Sequence, residues 1–118
     1  MAGSGFAPTS HFQLSKVTST SGPGIEVTVV TKTADFRLGT ATDIVLADAS
    51  AASLTISLPG AVTASGKLFW IKKIDESANT VTVDPDGTEC IDNELSILLC
   101  NEGDTVQIVS NGSQWYII

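Results

Sequence analysis

The sequence predicts an all-β domain, an antiparallel β-sandwich or barrel of jelly-roll-like type with about eight short strands behind an irregular N-terminal arm. Three observations predict it. From Ile25 to the C-terminus apolar and polar residues alternate with period two, as they must when one face of a sheet is buried and the other is wet. Gly, Pro, Asn and Asp interrupt that alternation at intervals of about ten residues, the spacing of short strands joined by turns. No stretch keeps a helical period over helical length with caps, and Ala47 to Ala52, though rich in alanine, is too short to hold a helix.

The elements follow in order. Residues 1–24 are rich in Gly, Ser, Thr and Pro and close on Gly22-Pro23-Gly24, so they read as a flexible arm preceding a β-domain over 25–118. Phe6, Phe12 and Leu14 stand almost alone in the arm as apolar anchors, either for a partner or for folding back on the parent domain. Ile25 to Val29 begins the alternation, followed by Asp43 to Ala47 and by Leu54 to Leu58, which Pro59-Gly60 ends. Lys67 to Ile74 carries apolar groups on both faces, with Leu68, Trp70 and Ile74 on one and Phe69 and Ile71 on the other. That strand is expected centrally or at a subunit interface. Thr80 to Val83 runs into the turn Asp84-Pro85-Asp86-Gly87, and a hairpin partner is expected from Glu89–Ile91 and Leu95–Leu99. Asn101 to Asp104 makes another turn. Thr105 to Val109 and Trp115 to Ile118 flank Asn111-Gly112, a strong hairpin signal.

The chain of 118 residues has room for one domain, and a composition 42% hydrophobic with 16% charged residues is that of a folded protein. Thirteen acidic against six basic residues give a formal charge of −7, which opposes approach to phosphate backbones and anionic membranes, so neither nucleic acid nor a membrane is an expected partner. No apolar run approaches the ~20 residues of a membrane-spanning helix, and Met1 to Gly5 lacks the charged start of a signal peptide. Cys90 and Cys100 are expected as two buried thiols without a bridge, since a turn near Asp92-Asn93 places Cys90 opposite Ile97.

From about Thr40 to Ile118 the chain resembles a β-domain that recurs in tailed-bacteriophage virion proteins, in fibre or spike modules and in head-surface proteins. The resemblance is carried by the order of several fragments. They are Asp43 with Asp48-Ala49-Ser50, Leu54 to Pro59, Ile71-Lys72-Lys73-Ile74-Asp75 and Asn79 to Val83, then Pro85-Asp86-Gly87, Ile91-Asp92, Gly103 to Val106 and Gly112 to Ile118. It implies a virion surface component, frequently a homotrimer, with no enzymatic role. An arm plus one compact domain without a fibrous repeat suits a capsid decoration or cement protein, which would bind the major capsid protein on the outer surface of a phage head and stabilise it. The alternative is a tail-fibre or receptor-binding module that recognises a host surface glycan. Either location is the virion, after assembly in the host cytoplasm.

The residues offer no catalytic centre. His11 is the single histidine and lies in the arm, no glycine-rich phosphate loop and no Cys-x-x-Cys is present, and no cofactor is expected. Carboxylates crowd the turns of the C-terminal half, but paired glycosidase acids need a cleft framed by aromatics, and aromatics make up only 6% of the chain. Asp84-Pro85-Asp86-Gly87 lacks the ligand sequence and terminal glutamate of a Ca²⁺ loop, so these acids are expected to be solvated turn residues.

Overall fold

A computed structural model describes residues 26–118; the arm expected over 1–24, with Phe6, Phe12 and Leu14, lies outside the described residues. Among them are nine strands and no helix: β1 (Val29–Lys32), β2 (Phe36–Arg37), β3 (Ile44–Ala47), β4 (Leu54–Ser57), β5 (Leu68–Lys73), β6 (Val81–Asp84), β7 (Ile97–Leu99), β8 (Thr105–Ser110) and β9 (Trp115–Ile117). They form a five-stranded sheet in the order β1-β3-β5-β8-β9 and a four-stranded sheet in the order β2-β4-β6-β7.

The first six strands alternate between the two sheets, so the chain winds as a short coil of three rungs, each giving one strand to either sheet. Successive rungs stack parallel and in register. Val30 lies beside Val45 and Val45 beside Ile71, while in the other sheet Phe36 lies beside Ile56 and Ile56 beside Val83. Like residues therefore recur at equivalent positions, and their inward faces form continuous apolar columns. Past β6 the direction reverses. Gly87 takes the positive φ of the turn (55°), Asp92 and Asn93 form a tight turn bridged by Ile91 and Glu94, and β7 returns antiparallel to β6. β8 and β9 then pair antiparallel beyond β5, joined through Gly112, whose φ is 97°.

The core lies between the sheets. Val45, Ala47, Phe69, Ile71, Val106 and Ile108 meet Leu54, Ile56, Val81, Val83 and Leu99, all of them buried. Trp115 is fully buried against Phe69, with ring centroids 5.7 Å apart and tilted by 38°. The central position expected for Lys67 to Ile74 holds, because β5 is the middle strand of the larger sheet.

Three expectations need correction. The sheets are mixed, with four of the seven strand pairs parallel, and neither closes into a barrel. The physical reason is that period two reports which face is buried and carries no information on strand direction. Among the described residues the first strand runs Val29–Lys32, with 26–28 outside it, and β2 adds a two-residue strand too short to show any alternation. The cysteines are both free thiols, as an unbridged pair should be, yet neither is buried: Cys100 is exposed and Cys90 half-buried, since both lie in connecting segments outside the core columns.

Candidate interaction surface

The carboxylates act on the backbone. Asp35 accepts from the Thr55 amide at 2.8 Å and Asp43 from the Thr28 amide at 2.7 Å, each tying one rung to the next. Asp104 accepts from the Cys100 and Asn101 amides at 3.0 and 2.9 Å and closes the turn before β8. Glu89 accepts from the Ala61 amide at 3.1 Å and from the Trp115 indole N–H at 3.3 Å. At Asp43 and Asp104 the bonds favour the ionised form: the Lys67 ammonium and the Thr28 amide lower the Asp43 carboxyl, and the amides of Asn101 and Cys100 lower that of Asp104. Among the described residues no three His, Cys, Asp or Glu side chains converge as a metal-binding group.

One ion pair is internal. Lys73 has the same inward parity as Phe69 and Ile71 and is fully buried, where an unpaired ammonium would be costly. Its Nζ donates to Asp75 Oδ2 at 2.9 Å, to the Asp75 carbonyl at 2.9 Å and to the Ser77 carbonyl at 3.0 Å. Asp75 in turn accepts from the Ala49 amide at 2.8 Å and from the hydroxyl and amide of Ser77. Burial pushes the Asp75 carboxyl up, but the bonds from Ser77, Lys73 and Ala49 outweigh it and hold the group well below the usual carboxylate range. Asn79 Nδ2 donates to the Ala49 carbonyl at 2.8 Å, completing a bridge between the turn after β3 and the loop after β5. A lysine at an inward position with Asp and Ser at the second and fourth residues after it was a signal available in the sequence.

The incomplete part of the molecule is its first rung. The inward residues Val30, Lys32 and Phe36 are only half-buried, whereas their neighbours one rung along, Val45, Ala47 and Ile56, are fully buried. Val27 and Val29 are 43% and 48% exposed, and the Lys32 ammonium lies 4.2 Å from the Phe36 ring centroid, over the open end of the core. Thr28 and Lys32 turn their carbonyls toward β3, accepting from Ile44 at 3.0 Å and Asp48 at 2.8 Å, so the backbone groups of Val27, Val29 and Thr31 face the other way, to an edge that no described strand pairs. The opposite edge of that sheet is covered. Trp115 N donates to the Cys90 carbonyl at 3.0 Å, the Trp115 carbonyl accepts from Asp92 N at 3.0 Å, and Ile117 N donates to the Asp92 carboxylate at 3.2 Å. The anchors Phe6, Phe12 and Leu14 lie in the segment that leads into the open rung, outside the described residues. Compared with known proteins, the chain matches no family model and no curated protein.

Proposed function

We propose that the protein is a structural component of a bacteriophage virion, a capsid decoration or cement protein that binds the major capsid protein on the outside of the head. The resemblance over Thr40 to Ile118 motivates the reading, and the open first rung supports it. The core is finished at the β9 edge and left half-exposed at the first rung, so that rung offers a face on which a partner would complete the fold's burial. Phe6, Phe12 and Leu14 are the arm's apolar anchors, and burying each would contribute roughly 1.5–3 kcal/mol. Joined copies straddling neighbouring capsid subunits would gain avidity through effective concentration and tie those subunits together against outward pressure.

The test mixes capsids that lack this protein with full-length protein or with protein lacking residues 1–24, sediments the particles, and measures occupancy and capsid melting temperature. Full-length protein should saturate the particles and raise their melting temperature, and the truncated protein should keep its β-sheet circular dichroism but wash off. Equal occupancy of both forms would remove the arm from the attachment, and full-length protein that ignores capsids but binds host cells would replace this reading with receptor binding.

A further inference from the structure

We infer that the open edge of β1 is a self-association surface on which a second copy of this chain pairs antiparallel about a two-fold axis at Val29, joining two five-stranded sheets into one of ten. Exposed sheet edges are templates for pairing, and proteins normally protect them with a proline, a bulge, an inward charge or a covering segment. The β9 edge has such protection, in the Cys90–Asp92 segment and the Asp92 carboxylate. β1 has none along its middle, where Val27-Thr28-Val29-Val30-Thr31 is an uncharged run of mostly β-branched residues.

Backbone orientation limits the register. Only Val27, Val29 and Thr31 turn their N–H and carbonyl groups outward, so a hydrogen-bonded antiparallel pair must match these residues with one another. Centring on Val29 places Val29 opposite its own copy and Val27 opposite Thr31 of the partner subunit, which uses all three. The same register sets Glu26 opposite Lys32 of the partner subunit, twice by symmetry, on the inward face that looks toward Phe36 and the open core end. Centring one residue earlier or later leaves both charges unmatched. Charge complementarity and ladder geometry therefore select one arrangement, which also covers the exposed Val27 and Val29. An isologous edge contact uses each edge once and closes at two copies, in contrast to the homotrimer expected from the family resemblance. It also sets Glu26 of the two copies at opposite ends of the joined strand pair, about 20 Å apart from the strand rise over six residues, so one dimer would carry two copies of the capsid-binding candidates Phe6, Phe12 and Leu14.

The pairing is tested free in solution, without capsids, so its outcome is independent of the decoration reading. Sedimentation equilibrium of the full-length chain at micromolar concentration should give twice the 12.3 kDa chain mass. Val29→Pro removes an outward N–H without touching the bonds to β3 and should give monomer with unchanged circular dichroism. Glu26→Lys and Lys32→Glu should each weaken the dimer by roughly tenfold, and the double variant should restore it, because only this register pairs these two positions. A monomer that dimerises only after residues 1–24 are removed would show that the chain's own arm occupies the edge and would overturn the proposal. So would a trimer mass, or charge reversals without mutual rescue.

Discussion

Lys73 is the residue at which the fold departs furthest from its own pattern, because an ammonium occupies a position that Phe69 and Ile71 make apolar on the same strand. Its charge is sustained by one carboxylate and two carbonyls, and those partners connect segments that are remote in sequence. Replacing Lys73 by Met should leave the Asp75 carboxylate buried without its counter-ion and cost about 3–5 kcal/mol, whereas the double variant Lys73→Met, Asp75→Asn should cost clearly less than the two single changes added. Urea denaturation of the four proteins measures this, and strict additivity would mean that the pair is not coupled. Asp75 has a folded-state pKa below its unfolded value, so the stability it supplies is fully present above the ordinary carboxylate pKa, near 3.8, and is lost as pH falls from there through the folded-state value. Asp43 and Asp104, lowered as well, add to the same acid-side loss.

At the scale of elements, the turns rest on residues whose backbone preferences the chain states openly, and the strand pairings do not. Gly112 sits at φ 97°, where an added Cβ would also come within 3.2 Å of the Ser65 hydroxyl, while Gly87 sits at φ 55° with open space around it. Gly112→Ala should therefore cost about 1–3 kcal/mol, and Gly87→Asn less than about 1 kcal/mol, because asparagine tolerates the left-handed region. Denaturant midpoints at unchanged m-value check both, and equal losses would contradict the distinction. These positions explain what was legible. Asn111-Gly112 and Asp84 to Gly87 marked their turns, and the inward residues of β4, β5 and β8 marked their strands. Hidden were β2, which at two residues has no period to show, and the parallel stacking of β1, β3 and β5. Parallel neighbours commonly need a long crossover, usually a helix. Here the crossover is itself a strand of the opposite sheet, so the linear pattern looks like that of an antiparallel meander.

For the whole molecule, the coil gives stability a direction. The middle rungs are buried on both sides by neighbours: β4 lies between β2 and β6, and β5 between β3 and β8. The first rung has a neighbour on one side only, and its inward residues stay half-buried. The interaction surface was legible only in outline for the same reason. Val27 and Val29 read as ordinary members of an alternating strand, but they have the outward parity, opposite to Val30 and Lys32, and they stand in the first rung, where no described strand flanks them; no local pattern reports that position. Opening free energies in a stacked structure fall toward an unsupported end, because an end unit can detach while its neighbours keep their own contacts. β2 provides the cleaner measure, since it is a sheet edge and takes no part in the proposed β1 pairing. It is held to the next rung by its pairing with β4, the Leu38 amide bond to the Ser57 carbonyl at 2.8 Å and the Asp35 bond to Thr55. Hydrogen exchange read by mass spectrometry should show peptides across Phe36–Arg37 exchanging at least tenfold faster than peptides across Leu68–Lys73. Asp35→Ala, which removes one of those links, should accelerate the former and leave the latter unchanged. Uniform protection across both regions would mean that the first rung opens only with global unfolding, and the molecule would then be a single cooperative unit to its open edge.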